Sequence, residues 1–295
     1  MGAALSVCMP PSPHLLRWRI LPLLVFLLAS ETASACTLYA AHGARVAGGG
    51  TLIVKVRDWT PGDHQVLERV TPPRGYSYYA LVTEGEDPGI KAGVNERGLV
   101  VESATASSIP KPDRQEPEST MGLLRKLLAE CATVDDVLAR KALFRGPRFL
   151  LVADATQVAC IEIGPLGQVR VDITRDGVAA HTNHYLPGAL SGANQKTPGA
   201  SSLSRFNRIK ELLEAKTPHT MDGFLGFSRD RHAGPDLSIF RTGLKPTGTR
   251  TMSVWAVRLK PGGGAEIVVR LLNAGQPEVL VRRDFAEIFR KDPVR

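Results

Sequence analysis

The sequence predicts an α+β fold in which antiparallel sheets carry helices on their outer faces. Short strands and helices follow one another in blocks, without the β-α-β alternation that is typical of a parallel sheet. Several neighbouring strands are separated by tight, glycine-rich turns, which join antiparallel strands. The chain has 295 residues, which is enough for a leader segment and one large layered domain.

The first block of predicted strands begins next to Cys36. Short apolar and β-branched runs predict strands at 37–41, 51–57, 65–70, 76–82, 90–94 and 99–103. Because the first two are separated by a turn containing Gly48, Gly49 and Gly50, we expect a hairpin that starts at Cys36. The polar, proline-rich span 109–118 is predicted to be a loop.

Helices and further strands are predicted in the second half. Ser119 or Thr120 can cap one helix, and Thr133 can cap a second that reaches Leu143. Strands are predicted at 148–153, 158–163, 169–173 and 178–181. The remaining elements are a helix from Ser201, a short helix at 220–227 and an antiparallel strand pair at 252–259 and 267–272 that closes the sequence.

Residues 1–35 have the layout of a cleaved export signal. Basic residues precede the apolar run 20–29, and the small residues Ala33 and Ala35 follow it. Ten apolar residues are too few to span a bilayer, which takes about 20. We therefore expect cleavage after Ala35, a periplasmic or secreted protein, and a single domain at 36–295.

Composition narrows the partners and cofactors. The formal net charge is +8, but the basic residues are scattered and do not alternate with aromatic ones, so no nucleic-acid partner is predicted. No cysteine or histidine spacing suggests a metal site, and no cofactor is predicted. Cys131 and Cys160 are expected to be separate buried thiols. No membrane span is predicted in the mature chain, and a homo-oligomer remains open.

Cleavage after Ala35 would give Cys36 a free α-amino group. An α-amine with a reference pKa near 7.7 accepts a proton at neutral pH, and a thiol is a strong nucleophile as its thiolate. Cys36 is therefore the candidate nucleophile of the sequence. The alternative is a lipoprotein acylated on Cys36, although Ala33 stands where a bacterial lipobox prefers a bulky aliphatic residue.

Polar residues elsewhere could complete such a site. Asp58 ends the second strand of the hairpin and could hold the ammonium form of the amine, with Lys55 or Arg57 supplying positive charge. An ordinary salt bridge among these residues is the alternative. Asn183 follows a strand and could donate to an oxyanion, or simply form a turn. Arg205 falls off the apolar stripe of its helix, where a solvated position is the simplest interpretation.

Five segments in order resemble one family of amide-bond enzymes. They are Cys36-Thr37, Arg57-Asp58-Trp59, Gly93-Val94-Asn95-Glu96-Arg97-Gly98-Leu99, Thr182-Asn183-His184 and Ser204-Arg205-Phe206-Asn207-Arg208. The chain resembles choloylglycine hydrolases and penicillin V acylases, and more closely the acyl-coenzyme A:6-aminopenicillanic acid acyltransferase-like proteins (the isopenicillin N acyltransferase family). The similarity extends over essentially the whole mature chain.

The resemblance implies an N-terminal nucleophile hydrolase fold, an αββα sandwich, acting on a small-molecule, non-peptide linear amide. It assigns Cys36 as nucleophile, Asp58 as the aspartate near the amine, Asn183 as an oxyanion donor and Arg205 as the active-site arginine. The second oxyanion donor, a backbone N–H, falls at Thr105. Lys55 stands where the bile-salt branch has an arginine, so the cation is kept but its bidentate geometry is not.

Two further alternatives stay open at this point. An acyltransferase would pass the acyl group from Cys36 to an amine instead of water. A cysteine peptidase with a Cys–His pair would require His181 or His184 as its base.

Overall fold

The computed structural model describes residues 1–2, 35–85, 88–114, 122–215 and 218–290. The chain divides into two units, Met1–Glu31 and Thr32–Arg295. The predicted export signal lies outside the described residues, apart from its two ends, so the architecture that follows is that of the second unit. No helix in the described ranges is both long and apolar enough to cross a membrane.

Within the described residues, thirteen strands form two antiparallel sheets. The strands are β1 (Ala35–His42), β2 (Thr51–Trp59), β3 (His64–Val70), β4 (Tyr78–Glu84), β5 (Gly89–Asn95), β6 (Val100–Thr105), β7 (Arg148–Ala153), β8 (Val158–Ile163), β9 (Val169–Thr174), β10 (Gly177–His181), β11 (Arg250–Leu259), β12 (Ala265–Leu271) and β13 (Val279–Asp284). The six-stranded sheet has the order β10-β1-β2-β11-β12-β13, and the seven-stranded sheet runs from β3 to β9 in sequence order.

The helices of the described residues lie mainly between these strand blocks. They are α1 (Lys111–Arg114), α2 (Leu123–Glu130), α3 (Val134–Ala139), α4 (Ala200–Ala215), α5 (Met221–Phe227), α6 (Gly234–Leu237) and α7 (Phe285–Phe289). Thr133 caps α3 in a capping box with Asp136, as the sequence predicts.

Three apolar layers hold the two sheets and the helices together. The inner layer joins the sheets through residues such as Ile53, Trp255 and Phe149. A second layer packs α2 and α3 against the outer face of the seven-stranded sheet, and a third packs α4 and α5 against the six-stranded sheet. This arrangement is an αββα sandwich, and the predicted fold class is confirmed.

The hairpin of β1 and β2 sits inside the six-stranded sheet and returns the chain to its start. Cys36 pairs with Arg57, and Ala35 pairs with Asp58. Gly50 closes the turn with φ of +85°, and a Cβ there would lie 2.2 Å from the carbonyl oxygen of Leu259. Only glycine fits this close approach, so the hairpin that was expected from the glycine-rich turn depends on it.

Several predicted element boundaries were wrong. The pair at 252–259 and 267–272 does not close the chain, because β13 and α7 follow it. β13 is an edge strand with mostly exposed side chains, so it lacks the apolar alternation that identifies a strand. The helix expected to reach Leu143 ends at Ala139, and the predicted loop at 109–118 contains α1. The proposed caps at 119 and 120 lie outside the described residues.

Candidate active site

Alternation along β1 and β2 gives the hairpin two chemically different sides. Side chains of successive strand residues point to opposite faces. Cys36 packs in the layer between the sheets, so we call this face, with Lys55 and Arg57, the inner side. The opposite face, with Thr37 and Asp58, lies towards α4 and is the outer side.

On the outer side, Arg205 of α4 reaches the backbone of the candidate nucleophile. Its guanidinium donates to the carbonyl oxygen of Cys36 and to Thr37 Oγ1 at 2.9 Å. It also donates to Asn183 Oδ1 at 3.0 Å. Arg205 is 1% exposed, so the solvated position considered from the sequence is wrong. Burial is the main reason that its pKa is lowered to about 10.

Asn183 connects the outer side to the seven-stranded sheet. Its Oδ1 accepts from the backbone nitrogen of Cys36 at 2.8 Å, and its Nδ2 donates to the carbonyl oxygen of Thr105 at 2.9 Å. Its own backbone N–H donates to Ser202 Oγ at 2.9 Å. The carboxamide is therefore oriented by three partners, Cys36, Arg205 and Thr105, and lies between Cys36 and Thr105. Because the carboxamide nitrogen has two N–H groups, an oxyanion could accept from Nδ2 beside the Thr105 carbonyl or in its place.

Asp58 is fully buried beside Ala35, the residue that precedes Cys36. Its Oδ1 accepts from Thr251 Oγ1 at 2.8 Å, whereas its Oδ2 is buried without a hydrogen-bond partner in the described structure. Burial raises the pKa of this carboxyl, and the positive charges of Arg205 and Arg241 oppose the rise. Asp58 therefore keeps one acceptor oxygen available near the start of the predicted mature chain.

On the inner side, Lys55 lies against the thiol of Cys36. Its ammonium hydrogen-bonds the Cys36 side chain and donates to the carbonyl oxygen of Ser103. Burial lowers the pKa of Lys55, while the neighbouring Cys36 and Glu102 act in the opposite direction. Lys55 is therefore the basic side chain that lies beside the sulfur.

Arg57 has a different set of partners on the same side. It forms a buried salt bridge with Asp63 at 3.0 Å and donates to Gln65 Oε1 at 3.0 Å. Its guanidinium also lies 4.8 Å from the ring centre of Trp59. This salt bridge is not the one that the sequence suggested as an alternative, which would have joined Asp58 to Lys55 or Arg57.

Sequence reasoning missed three residues of this site. Glu102 of β6 is wholly buried near Lys55 and Cys36, and neither of its carboxyl oxygens has a hydrogen-bond partner in the described structure. Burial raises its pKa well above the usual value. Ser202 and Arg148 were also missed. Strand alternation could have found Glu102, because Val100 and Ala104 on the same face belong to the inner layer.

The histidines considered as bases make other contacts. His181 Nε2 lies 3.0 Å from Glu162 Oε1, and His184 Nδ1 lies 2.8 Å from Ser202 Oγ. Burial is the main reason that the pKa of His184 falls to about 4. Neither ring hydrogen-bonds Cys36, so the geometry gives no support to a Cys–His pair.

Two other sequence predictions concern thiols and metals. Cys131 and Cys160 are free and buried, which confirms that they do not pair. Among the described residues, no group of three or more histidine, cysteine or acidic side chains could hold a metal ion.

Two solved structures that match with TM-scores above 0.5 support the fold. A variant of the conjugated bile acid hydrolase from Clostridium perfringens is similar at a TM-score of 0.54 and 14% identity, over 85% of this chain and 93% of that one. A second variant of the same hydrolase gives 0.53 at 12% identity, with the same coverage. Penicillin V acylase from Agrobacterium tumefaciens gives 0.49 at 16% identity, over 83% of this chain and 86% of that one.

Sequence comparison identifies the family. No curated protein sequence matches the chain. The family model of acyl-coenzyme A:6-aminopenicillanic acid acyl-transferase matches residues 46–263, which is most of the chain. Together with the sandwich fold, this match shows that the chain belongs to the acyl-coenzyme A:6-aminopenicillanic acid acyl-transferase family.

Proposed function

We propose that the chain is an exported enzyme that cleaves or transfers the acyl group of a non-peptide linear amide, with Cys36 as its N-terminal nucleophile. The observation that carries this proposal is the 2.8 Å hydrogen bond from the Cys36 backbone nitrogen to Asn183 Oδ1. It fixes the nitrogen that becomes an α-amine once residues 1–35 are removed. The thiol of the same residue lies on the inner side against Lys55. Membership of an acyltransferase family supports the same chemistry.

The proposed mechanism uses the two groups of Cys36 in turn. The α-amine takes the thiol proton, and the thiolate attacks the amide carbonyl. The Asn183 carboxamide and the Thr105 backbone N–H are the proposed donors to the resulting oxyanion. When the tetrahedral intermediate collapses, the carbon–nitrogen bond breaks and the α-ammonium protonates the leaving amine. A thioester on Cys36 remains.

Either water or a second amine can then resolve the thioester. Water gives a carboxylic acid and makes the protein a hydrolase, whereas an amine gives a new amide and makes it an acyltransferase. The family match favours keeping acyl transfer as the second candidate. Product analysis with an added amine acceptor distinguishes the two activities.

The burial of Cys36 argues against the lipoprotein alternative. Cys36 is 2% exposed and packs in the layer between the sheets. A diacylglyceryl group on its sulfur would have to leave this layer, which would break the pairing of β1 with β2. N-terminal sequencing and intact mass of the exported protein decide the point: the proposal requires a free amine on an unmodified Cys36.

The decisive experiment compares Cys36→Ala with Cys160→Ala on a panel of N-acyl aminocoumarins, which release a fluorescent amine. We expect Cys36→Ala to lower turnover by about 10⁴-fold or more, because the nucleophile is lost. Cys160→Ala removes a second buried thiol and should keep turnover close to that of the parent chain. Amide cleavage retained by Cys36→Ala would overturn the proposal.

A further inference from the structure

The thiol of Cys36 opens onto a small cavity with an unusual lining. Its volume is about 250 Å³, and its ten lining residues include five basic side chains and no acidic one. The basic side chains are Lys55, Arg57, Lys91, Arg114 and Arg148. A cavity bounded by one sign of charge concentrates field lines and favours a ligand of the opposite charge. Arg57 is already paired with Asp63, and the remaining excess of positive charge in the lining indicates an anionic ligand.

Arg148 is the side chain of this group that is best placed to bind it. It begins β7, opposite Thr105 of β6, the residue proposed to supply a backbone donor to the oxyanion. Its Nε is buried and has no hydrogen-bond partner in the described structure. Burial lowers the pKa of its guanidinium. An anion in the cavity would give this guanidinium a charged partner.

The geometry also indicates which part of the substrate enters the cavity. The Cys36 nitrogen faces Asn183 and Arg205, and neither of these residues lines the cavity. The leaving amine must lie beside that nitrogen to receive its proton. The acyl part of the substrate is then left to occupy the cavity, and a volume of about 250 Å³ suits a short group.

We propose that the acyl group of the substrate is short and ends in an anion, such as a carboxylate or a phosphonate, which Arg148 binds. This inference rests on the proposed function. Arginine suits this role because its planar guanidinium can donate two parallel hydrogen bonds to such a group. The enzyme would thus prefer monoamides of a short dicarboxylic or phosphono acid over amides of apolar acids.

The first test measures selectivity with matched amides of one aminocoumarin. N-succinyl and 3-phosphonopropanoyl amides carry the anion, and the N-succinamoyl amide is a neutral isostere of the succinyl compound. We expect kcat/KM to be about tenfold or more higher for at least one anionic amide than for the isostere, as hydrogen bonds to charged groups typically give. The two anionic amides distinguish a carboxylate from a phosphonate. Butanoyl amides of 4-aminobenzoate and of 4-aminobenzamide test the opposite case, in which the anion belongs to the amine part of the substrate.

Variants then assign the preference to the cavity. Arg148→Gln should remove most of the preference for the anionic acyl group, and Arg148→Lys should restore part of it. Arg125→Gln is the matched control, because Arg125 lies on the exposed face of α2 and should leave the preference unchanged. Equal kcat/KM for the anionic and neutral acyl groups, or a preference confined to the amine side, would overturn this inference.

A second test needs no substrate. Iodoacetate is an anion and iodoacetamide is neutral, and both alkylate the thiol of Cys36. The ratio of the iodoacetate rate to the iodoacetamide rate therefore reports the charge of the cavity and not the thiolate fraction. We expect the ratio to exceed that of the urea-unfolded chain by about tenfold, to fall with added salt and to fall in Arg148→Gln. A ratio equal to that of the unfolded chain would overturn the inference. If every amide is left intact while the ratio is raised, the proposed function fails and the anion site remains.

Discussion

The two sides of the β1–β2 hairpin differ in how completely their polar groups are hydrogen-bonded. On the outer side, the single guanidinium of Arg205 bonds the Cys36 carbonyl, Thr37 and Asn183. Around the inner side, both oxygens of Glu102, Nε of Arg148 and Oγ of Ser253 are buried without partners in the described structure. The outer side therefore fixes atoms of the nucleophile, whereas the inner side keeps unpaired hydrogen-bond donors and acceptors that a bound substrate can use.

Among the substitutions considered, Arg205→Ala should have the largest effect on the outer side, because it removes the most hydrogen bonds there. The substitution leaves the Cys36 carbonyl, Thr37 Oγ1 and Asn183 Oδ1 buried without their shared donor. We expect a loss of about 3 kcal/mol in the free energy of unfolding, together with a drop in turnover of about a thousandfold. Urea unfolding and steady-state kinetics measure the two effects.

Arg208→Ala is the matched control for this change. Arg208 lies one turn away on α4 and bonds Asp230 and Glu211 near the surface. Because such pairs contribute little, the control should lose less than about 1 kcal/mol and keep its turnover. Equal effects of the two substitutions would contradict the special role assigned to Arg205.

Asp58→Asn tests the role of the Asp58 carboxylate, whose Oδ2 is an unpartnered acceptor on the outer side. Among the described residues Asp58 Oδ2 has no hydrogen-bond partner, and Ala35 still precedes Cys36 there. We expect the α-amine released by cleavage to become that partner. Asparagine keeps the shape but removes the negative charge, so turnover should fall by about 100-fold with little change in stability. Wild-type turnover in Asp58→Asn would show that the carboxylate does not act on the amine.

The layers of this fold could be predicted because each depends on local sequence. Glycine-rich turns marked the hairpins, and Thr133 marked the start of α3 by its capping pattern. β13 could not be predicted, because its exposed side chains carry no apolar alternation and its pairing with β12 is a tertiary contact. Strands at a sheet edge are defined by their neighbours more than by their own residues.

The candidate site was predictable only in part, for a related reason. Cys36 and Asp58 were brought together by one hairpin, which the sequence contains in full. Arg205 lies 169 positions from Cys36, and only the family resemblance assigned it a role. Glu102 and Arg148 come from the other sheet. Strand alternation places Glu102 on an inward face, but no local pattern brings either residue to Cys36. Long-range partners of this kind become visible only when the two sheets are packed.

His184 gives the outer side a sensitivity to acid. Its pKa is lowered to about 4, first by burial and then by the charges of His181 and Arg205. In the unfolded chain a histidine titrates near pH 6.5, so the folded state loses stability as the pH falls from about 6.5 towards 4. His184→Gln should remove about 2 kcal/mol of this loss, measured by urea unfolding at both ends of the range. His232→Gln, at an exposed position, should leave the pH dependence unchanged.

Glu102→Gln tests the inner side and should change stability least. Its effect on stability should depend on pH in the opposite sense to that of His184→Gln. The pKa of Glu102 is raised well above its usual value by burial, so the folded state loses stability as the pH rises above about 4.5. Glutamine has nearly the same shape and cannot ionise. The variant should match the parent near pH 4 and be more stable by about 1 kcal/mol near pH 7.

Glu278→Gln is the control for this prediction, because it should lower the stability near pH 7 where Glu102→Gln raises it. Hydrogen bonds from Arg270 lower the pKa of Glu278, so its carboxylate stabilises the fold above about pH 4.5 and its loss should cost stability there. Opposite slopes in the two variants would show that the inner side carries a carboxyl buried at a cost to stability, next to the thiol. A Glu102→Gln variant that is less stable than the parent near pH 7 would instead mean that Lys55 and Glu102 form a stabilising charge pair. The contrast between the two sides of the hairpin would then be lost.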